Sequence, residues 1–227
     1  MDLPHNIAAL VGCGPLEGED MGRSGAQVLR CADMFLKIDS AGKMARSAKA
    51  QEYFAKKGLS APLVAYETDA GRDYLLVRAV PGAYACAESM LKEPEKLAAL
   101  LGETIRMLHE TDAADCPLRD TNERLLQMYA DENGCPFPGN AGCLEKDALV
   151  QGDCCLPNIF FENGRFSGFI DLGEAGIGDR HADLCCAVWS LGYNTGSDAW
   201  GDTLLDAYGR DKVDEERLAI CRQFFGY

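Results

Sequence analysis

The sequence predicts an α+β chain in two parts, a small strand-rich one over residues 1–80 and a larger, mainly helical one over residues 81–227. Three observations predict it. Two pairs of strand-like runs surround one helix-period stretch before residue 80. Pro81-Gly82 then breaks the chain where neither helix nor strand continues. Beyond that break apolar residues recur mostly at helical spacing, interrupted by one hairpin signal at Asn163-Gly164.

Residues 27–31 and 34–38 read as a hairpin with Ala32-Asp33 at its turn. A helix is expected over 44–57, with Gly58 placed to end it and Pro62 to prevent its restart. Residues 63–67 and 74–78 form a second hairpin around a turn at 69–72. In the larger part, 95–110 is helical, with Leu97, Leu100, Leu101, Ile105 and Leu108 on one face. Residues 121–130 make another helix, and 131–140, which holds Gly134, Pro136, Pro138 and Gly139, is expected to be irregular. Helices over 183–191, 198–208 and 213–224 close the chain, with no internal repeat or low-complexity tract.

A chain of 227 residues is long enough to bury a substantial core. It has no run of 18 apolar residues and no basic-then-apolar start, so a cytoplasmic protein outside the membrane is expected. The 11 cysteines are odd in number, include the adjacent pairs Cys154-Cys155 and Cys185-Cys186, and show no Cys-x-x-Cys pattern. Reduced thiols serving as small apolar fillers account for them best. With only His5, His109 and His181 available, a zinc site is not expected. The net charge of −14 argues against nucleic acid. It suits a cationic substrate, and equally suits an acidic protein that is merely soluble.

The stretch from Leu149 to Asp171 carries the chemistry. With Asn163-Gly164 at the tip, the expected register sets Glu162 opposite Arg165, Phe160 opposite Ser167 and Asn158 opposite Phe169. Asp171 then lies two residues beyond Asn158's partner on the same face, about 7–8 Å away between backbones. Asn158 and Asp171 are therefore candidate ligands for a hard cation, beside Asp153 as a separate carboxylate in the loop entering the hairpin. Two oxygen ligands and a free carboxylate are what phosphoryl transfer needs.

Asp153 and Asn158 have the spacing of the protein-kinase catalytic loop, an Asp, four residues, then an Asn, and Asp171 has the place of the second metal-binding Asp. The wider text is Gly152-Asp153-x-x-Leu156-Pro157-Asn158-Ile159, Phe169-Ile170-Asp171-Leu172-Gly173 and Asp179-Arg180-x-x-Asp183-Leu184. It resembles the aminoglycoside phosphotransferase family, particularly its 3′-kinases, from about Gly22 to near the C-terminus. The resemblance implies a bilobal protein-kinase-like fold, with an N-lobe (1–80) for the nucleotide and a C-lobe (81–227) for catalysis and substrate. It implies Mg2+ and ATP between the lobes, an aminoglycoside as cationic partner, no nucleic acid or membrane partner, and a monomer or weak dimer. By the same resemblance Asp153 is the catalytic base and touches the substrate hydroxyl. Asn158 and Asp171 hold the metal, Lys37 pairs with the α- and β-phosphates, and Phe35 stacks on adenine. The backbone of Arg78 and Val80 bonds the base, Ser24 lies in the loop over the triphosphate, and Glu174 and Tyr227 face the substrate. Asp179 and Asp183 belong to the large lobe's hydrogen-bond framework.

Three positions depart from the family pattern. The helix glutamate expected to hold the strand lysine is Ala48, with Glu52 four residues later as a possible substitute. The histidine usual before Gly-Asp is Gln151, which can donate and accept similarly. The segment between Asp115 and Gln151 is shorter than in the 3′-kinases, and the C-terminal helix ends with Arg222 and no acid, leaving Glu174 and the Asp131-Glu132 pair to supply negative charge. Three alternatives therefore stay open: a kinase of the same fold acting on another alcohol, a nucleotide-binding pseudoenzyme, and a cysteine-based redox or metal protein.

Overall fold

The structure, a computed structural model, describes residues 3–12, 14–18 and 25–224. The chain divides into two compact units, Met1–Val80 and Pro81–Tyr227.

The first unit contains α1 (His5–Val11), β1 (Glu17–Gly18), β2 (Gln27–Cys31), β3 (Met34–Ser40), α2 (Ala45–Lys56), β4 (Leu63–Asp69) and β5 (Arg72–Arg78). Its antiparallel sheet has the order β1-β2-β3-β5-β4. Strand alternation sorts the side chains. Leu29, Leu36, Ile38 and Leu76 form one buried cluster with Ile7 of α1, while Leu75 packs with Met44 and Ala48 beside α2. The α1 helix answers to a Leu3, Ile7, Val11 spacing that the strand signals overshadowed. Both hairpin turns are two residues long, Ala32-Asp33 and Ala70-Gly71, so β4 and β5 pair as far as Asp69 and Arg72 rather than ending in a four-residue turn. Ala32 and Ala70 adopt φ of 53° and 47°, as the first position of such a primed turn requires. The buried Asp73 accepts the N–H of Met44 at 2.8 Å and the Thr68 hydroxyl at 2.7 Å, tying the start of α2 to β5.

The second unit contains β6 (Ala83–Tyr84), α3 (Glu88–Leu91), α4 (Pro94–His109), α5 (Thr121–Asn133), β7 (Ala148–Val150), β8 (Ile159–Glu162), β9 (Arg165–Phe169), β10 (Gly176–Gly178), α6 (Arg180–Thr195), α7 (Gly201–Tyr208) and α8 (Glu215–Phe224). Helices α4 and α7 meet where Gly102 lacks a side chain, since a Cβ there would lie 2.2 Å from the Leu204 carbonyl oxygen. Strands β7 and β10 pair, and β6, β8 and β9 form a small sheet. The expectation of irregular chain from residue 131 is corrected. Helix α5 runs on through Asn133 and stops at Gly134, whose φ of 68° gives the left-handed cap. Phe137 in the following segment stacks on Phe224 at 4.0 Å between ring centroids, so this non-regular stretch is pinned to α8. Among the described residues no helix is long and apolar enough to cross a membrane.

Candidate active site

The hairpin of β8 and β9 keeps the expected pairing at its tip, Glu162 with Arg165, and loses it further down. A bulge after Phe160 shifts the register, so Phe160 faces Gly168 and Ile159, not Asn158, faces Phe169. Asn158 lies instead in a 3-10 turn, Leu156–Asn158, that precedes β8. The expected proximity survives by another route, because the N–H of Ile170 donates to the Asn158 carbonyl at 3.0 Å. Asp171 follows directly, exposed and at a φ of 54°. A non-glycine residue in that region is uncommon and is held there by its surroundings.

Much of that holding comes from Gln151. Its buried side-chain amide donates to the carbonyls of Ile170 at 2.9 Å and Asp171 at 3.2 Å. Its Oε1 accepts the N–H of Asp153 at 2.7 Å. One glutamine thus couples the loop of Asp153 to the segment of Asp171. The loop is also clamped from α6. Asp183, fully buried, accepts the N–H groups of Gln151 and Gly152 at 2.7 and 2.8 Å, and Ser190 Oγ accepts that of Leu156 at 3.0 Å. Asp183 also contacts His109 Nε2 at 3.3 Å, and His109 Nδ1 meets the Tyr208 hydroxyl at 3.0 Å. Burial pushes the Tyr208 hydroxyl up to about 12. Gly152 is confined to glycine twice over, by a φ of 86° and by a would-be Cβ only 2.4 Å from the Glu174 carbonyl oxygen.

Asp153 is half-buried and its carboxylate is held on both sides. Asn158 Nδ2 donates to its Oδ2 at 3.0 Å and to its carbonyl at 2.9 Å. The Cys155 thiol is 2.7 Å from Oδ1, and the Cys186 thiol is 3.7 Å from the same oxygen. With Nδ2 committed to Asp153, Oδ1 is the Asn158 atom left to ligate a cation. An amide oxygen and a carboxylate suit the hard, oxygen-seeking magnesium ion, so the donor set fits it.

The framework acids lie at the base of α6. Asp179 caps that helix through the His181 N–H at 2.9 Å and also contacts His181 Nδ1 at 2.8 Å and Arg217 Nε at 2.9 Å. Because His181 Nε2 accepts the Asp214 N–H at 2.9 Å, Nδ1 carries the ring hydrogen and donates it to Asp179. Burial pushes Asp179 up, but the bonds from His181 and the Glu145 N–H, with the Arg217 charge, outweigh it and hold the carboxyl below its usual range.

In the first unit Phe35 and Lys37 are two residues apart on one face of β3, both half-buried. Lys37 is the cross-strand partner of Leu75, which packs against Ala48, so α2 presents an alanine to the lysine-bearing face. Glu52 does not replace the missing acid there, since it is exposed and pairs with Lys56 at 2.9 Å. The Arg78 N–H is taken by the Pro62 carbonyl at 3.0 Å, and its guanidinium by Asp33 at 2.5 Å, so that N–H is not available to a base. Val80 is buried. Glu174 forms a two-pronged pair with Arg124 at 2.5 and 2.6 Å, which balances its charge, whereas Asp131 and Glu132 are exposed. Ser24 and Tyr227 lie outside the described residues. Sequence reading missed the two thiols against Asp153 and the bridging geometry of Gln151. Cys155, two positions after Asp153, was the one local hint.

A probable aminoglycoside 3′-phosphotransferase of Lactococcus lactis subsp. lactis (strain IL1403) is 37% identical over 215 residues, covering 85% of this chain and 82% of the relative. An aminoglycoside 3′-phosphotransferase of Niallia circulans is 30% identical over 182 residues, 70% of each chain. The crystal structure of an aminoglycoside-3′-phosphotransferase of type VIII superposes with a TM-score of 0.76 over 96% of each chain at 24% identity, which establishes the protein-kinase-like fold. The sequence profile of the phosphotransferase enzyme family matches residues 21–134 and 144–221, a span that includes Lys37, Asp153, Asn158 and Asp171, and this chain belongs to that family.

Proposed function

We infer that this chain is an ATP-dependent kinase that moves the γ-phosphoryl group to a hydroxyl of an aminoglycoside, at a 3′-type position, and so confers resistance. The observation that carries this reading is the Asp153–Asn158–Gln151–Asp171 hydrogen-bond set, together with relatives that bear the aminoglycoside 3′-phosphotransferase name.

Asp153 accepts a hydrogen bond from the substrate hydroxyl, aims its oxygen at the γ-phosphorus and takes its proton late, as the new O–P bond forms and the bond to the β-phosphate oxygen breaks. Asn158 Nδ2 and the Cys155 thiol fix the carboxylate for that task. Asn158 and Asp171 would hold magnesium, which supplies charge neutralisation at the β- and γ-phosphates. Lys37 pairs with the α- and β-phosphates, Phe35 packs on the adenine, and the Arg78–Val80 backbone borders it. The transition state is largely dissociative, so positioning and charge carry most of the acceleration. Gln151 supports an active enzyme over a pseudoenzyme, because it supplies both a donor and an acceptor in place of the family histidine.

A second reading, a kinase of the same fold acting on another alcohol, is favoured by the neutralisation of Glu174 by Arg124, which removes one acid from those expected to face a polycation. ATP consumption with magnesium, measured across kanamycin, neomycin, gentamicin and streptomycin, separates the readings. Turnover with a 3′-hydroxyl-bearing compound, absent in Asp153→Ala, is the expected result. Turnover undiminished in Asp153→Ala would overturn the mechanism, and ATP binding without turnover on any of the four would favour the other alcohol. Asp171→Ala is expected to weaken magnesium-dependent nucleotide binding, which Asp153→Ala leaves nearly intact.

A further inference from the structure

Around Asp153 the donor chemistry changes from oxygen to sulfur. The Asp153 carboxylate, the Cys155 thiol and the Cys186 thiol place one ligand atom each within 4.8 Å of one another. They come from two segments, the catalytic loop and helix α6, and the segments are fastened together on either side of the cluster. Asp183 binds the loop's N–H groups three residues before Cys186, and Ser190 binds the Leu156 N–H four residues after it. Positions 183, 186 and 190 share one helical face, so Cys186 is carried against the loop by the same contacts that order it.

We propose that Asp153, Cys155 and Cys186 form a site for a thiophilic divalent cation, zinc or cadmium, whose occupation takes the phosphotransfer base out of use. Two thiolates with a carboxylate select soft cations over magnesium, which keeps to oxygen donors such as Asn158 and Asp171. Zinc–sulfur bonds of about 2.3 Å set tetrahedral ligands about 3.8 Å apart, within side-chain adjustment of the present cluster. Three protein ligands leave the fourth position to water. Binding forms two metal–sulfur bonds and one metal–oxygen bond, and the two thiol protons pass to solvent. In the metal-free protein the adjacent Cys155 thiol and burial push Cys186 well above the usual thiol range, and a doubly positive ion at contact reverses that preference. A metal-bound Oδ1 no longer accepts a substrate proton. This inhibitory consequence rests on the kinase reading above; the binding itself does not.

The test titrates the purified, phosphine-reduced full chain with cadmium and follows the ultraviolet thiolate-to-metal absorption, then displaces cadmium with zinc. Cys155→Ala and Cys186→Ala are each expected to weaken binding by more than about 100-fold, beyond the usual loss from an outer-shell partner. Cys135→Ser, at an exposed thiol, is expected to change nothing. Circular dichroism confirms that each variant is folded, and Cys155, being half-buried, is the safer substitution. In turnover assays zinc is expected to slow the natural chain reversibly, with recovery on adding the zinc-selective chelator TPEN, and to leave Cys155→Ala at its own metal-free rate. Absorption that is absent from the natural chain, or undiminished in both folded cysteine variants, overturns the site. Zinc binding with undiminished turnover overturns the inhibition. Cadmium binding as expected, in a protein with no turnover even without metal, upholds the site while the kinase reading fails.

Discussion

Asp183 Oδ2 accepts the backbone N–H of Gln151 at 2.7 Å, and through that bond a fully buried acid on helix α6 sets the start of the loop that carries Asp153. The adjacent Gly152 N–H binds the other oxygen at 2.8 Å, so the carboxylate holds two successive peptide groups and leaves little freedom between them.

Removing that acid orphans two buried N–H groups at about 1–3 kcal/mol each. Asp183→Ala is therefore expected to lower unfolding free energy by about 2–6 kcal/mol. Urea denaturation monitored by circular dichroism measures it. Asp183→Asn, which keeps one acceptor oxygen, should lose less, and equal losses would show that the N–H bond it retains contributes nothing.

Replacing Gln151 is expected to affect catalysis more than folding. Gln151→Leu removes the donors to Ile170 and Asp171 and the acceptor for the Asp153 N–H. A misplacement near 1 Å at a reacting group costs about 100-fold, and kcat is expected to fall by about that amount. Gln151→His should recover most of it. Steady-state kinetics under saturating ATP decide the matter, and an unchanged kcat in Gln151→Leu would remove the bridge from the mechanism.

Gly152→Ala introduces a Cβ 2.4 Å from the Glu174 carbonyl oxygen at a φ of 86°. Backbone faces backbone there, so neither side yields cheaply. Strain of about 1–3 kcal/mol is expected, with a lower thermal midpoint and reduced turnover together. Gly164→Ala in the hairpin tip, where a Cβ meets nothing within 4 Å, serves as the comparison with positive φ but no collision.

Acid stability should follow the two depressed aspartates. Burial pushes Asp73 up, but hydrogen bonds from the Met44 N–H, Thr68, the Gly42 N–H and Tyr66 hold it below its usual range, as the partners of Asp179 do for that residue. A carboxyl whose folded value lies below its unfolded value of about 3.9 adds stability above that pH and loses it as pH falls through the folded value. Unfolding free energy is thus expected to drop on acidification below about pH 4. Asp179→Asn should flatten that slope in acid titrations followed by fluorescence, and an unaltered slope would mean that Asp179 is not linked to stability.

Much of this was legible beforehand because it is local. Helix α4 announces itself by apolar spacing, the hairpin by Asn163-Gly164, the end of α2 by Gly58, and the division of the chain by the break at Pro81-Gly82. Helix α5 outran its expected end because Gly134, and not the acidic residues before it, stops the chain. The order of Gly152, Asp153, Asn158 and Asp171 along the chain likewise points to phosphoryl transfer.

What the sequence determined by itself, then, was most of the longer helices and strands and the order of the candidate site residues, since turn chemistry, periodicity and motif spacing act over a few positions along the chain. The tertiary structure alone decided how those residues are held. It placed a bulge after Phe160 that moves Asn158 off its expected partner, spent Glu174 on Arg124, set Gln151 across two segments, and carried Cys186 to Asp153. The last three join residues far apart in sequence, and such pairings follow from how helices and strands pack around one another, which no short stretch of chain encodes.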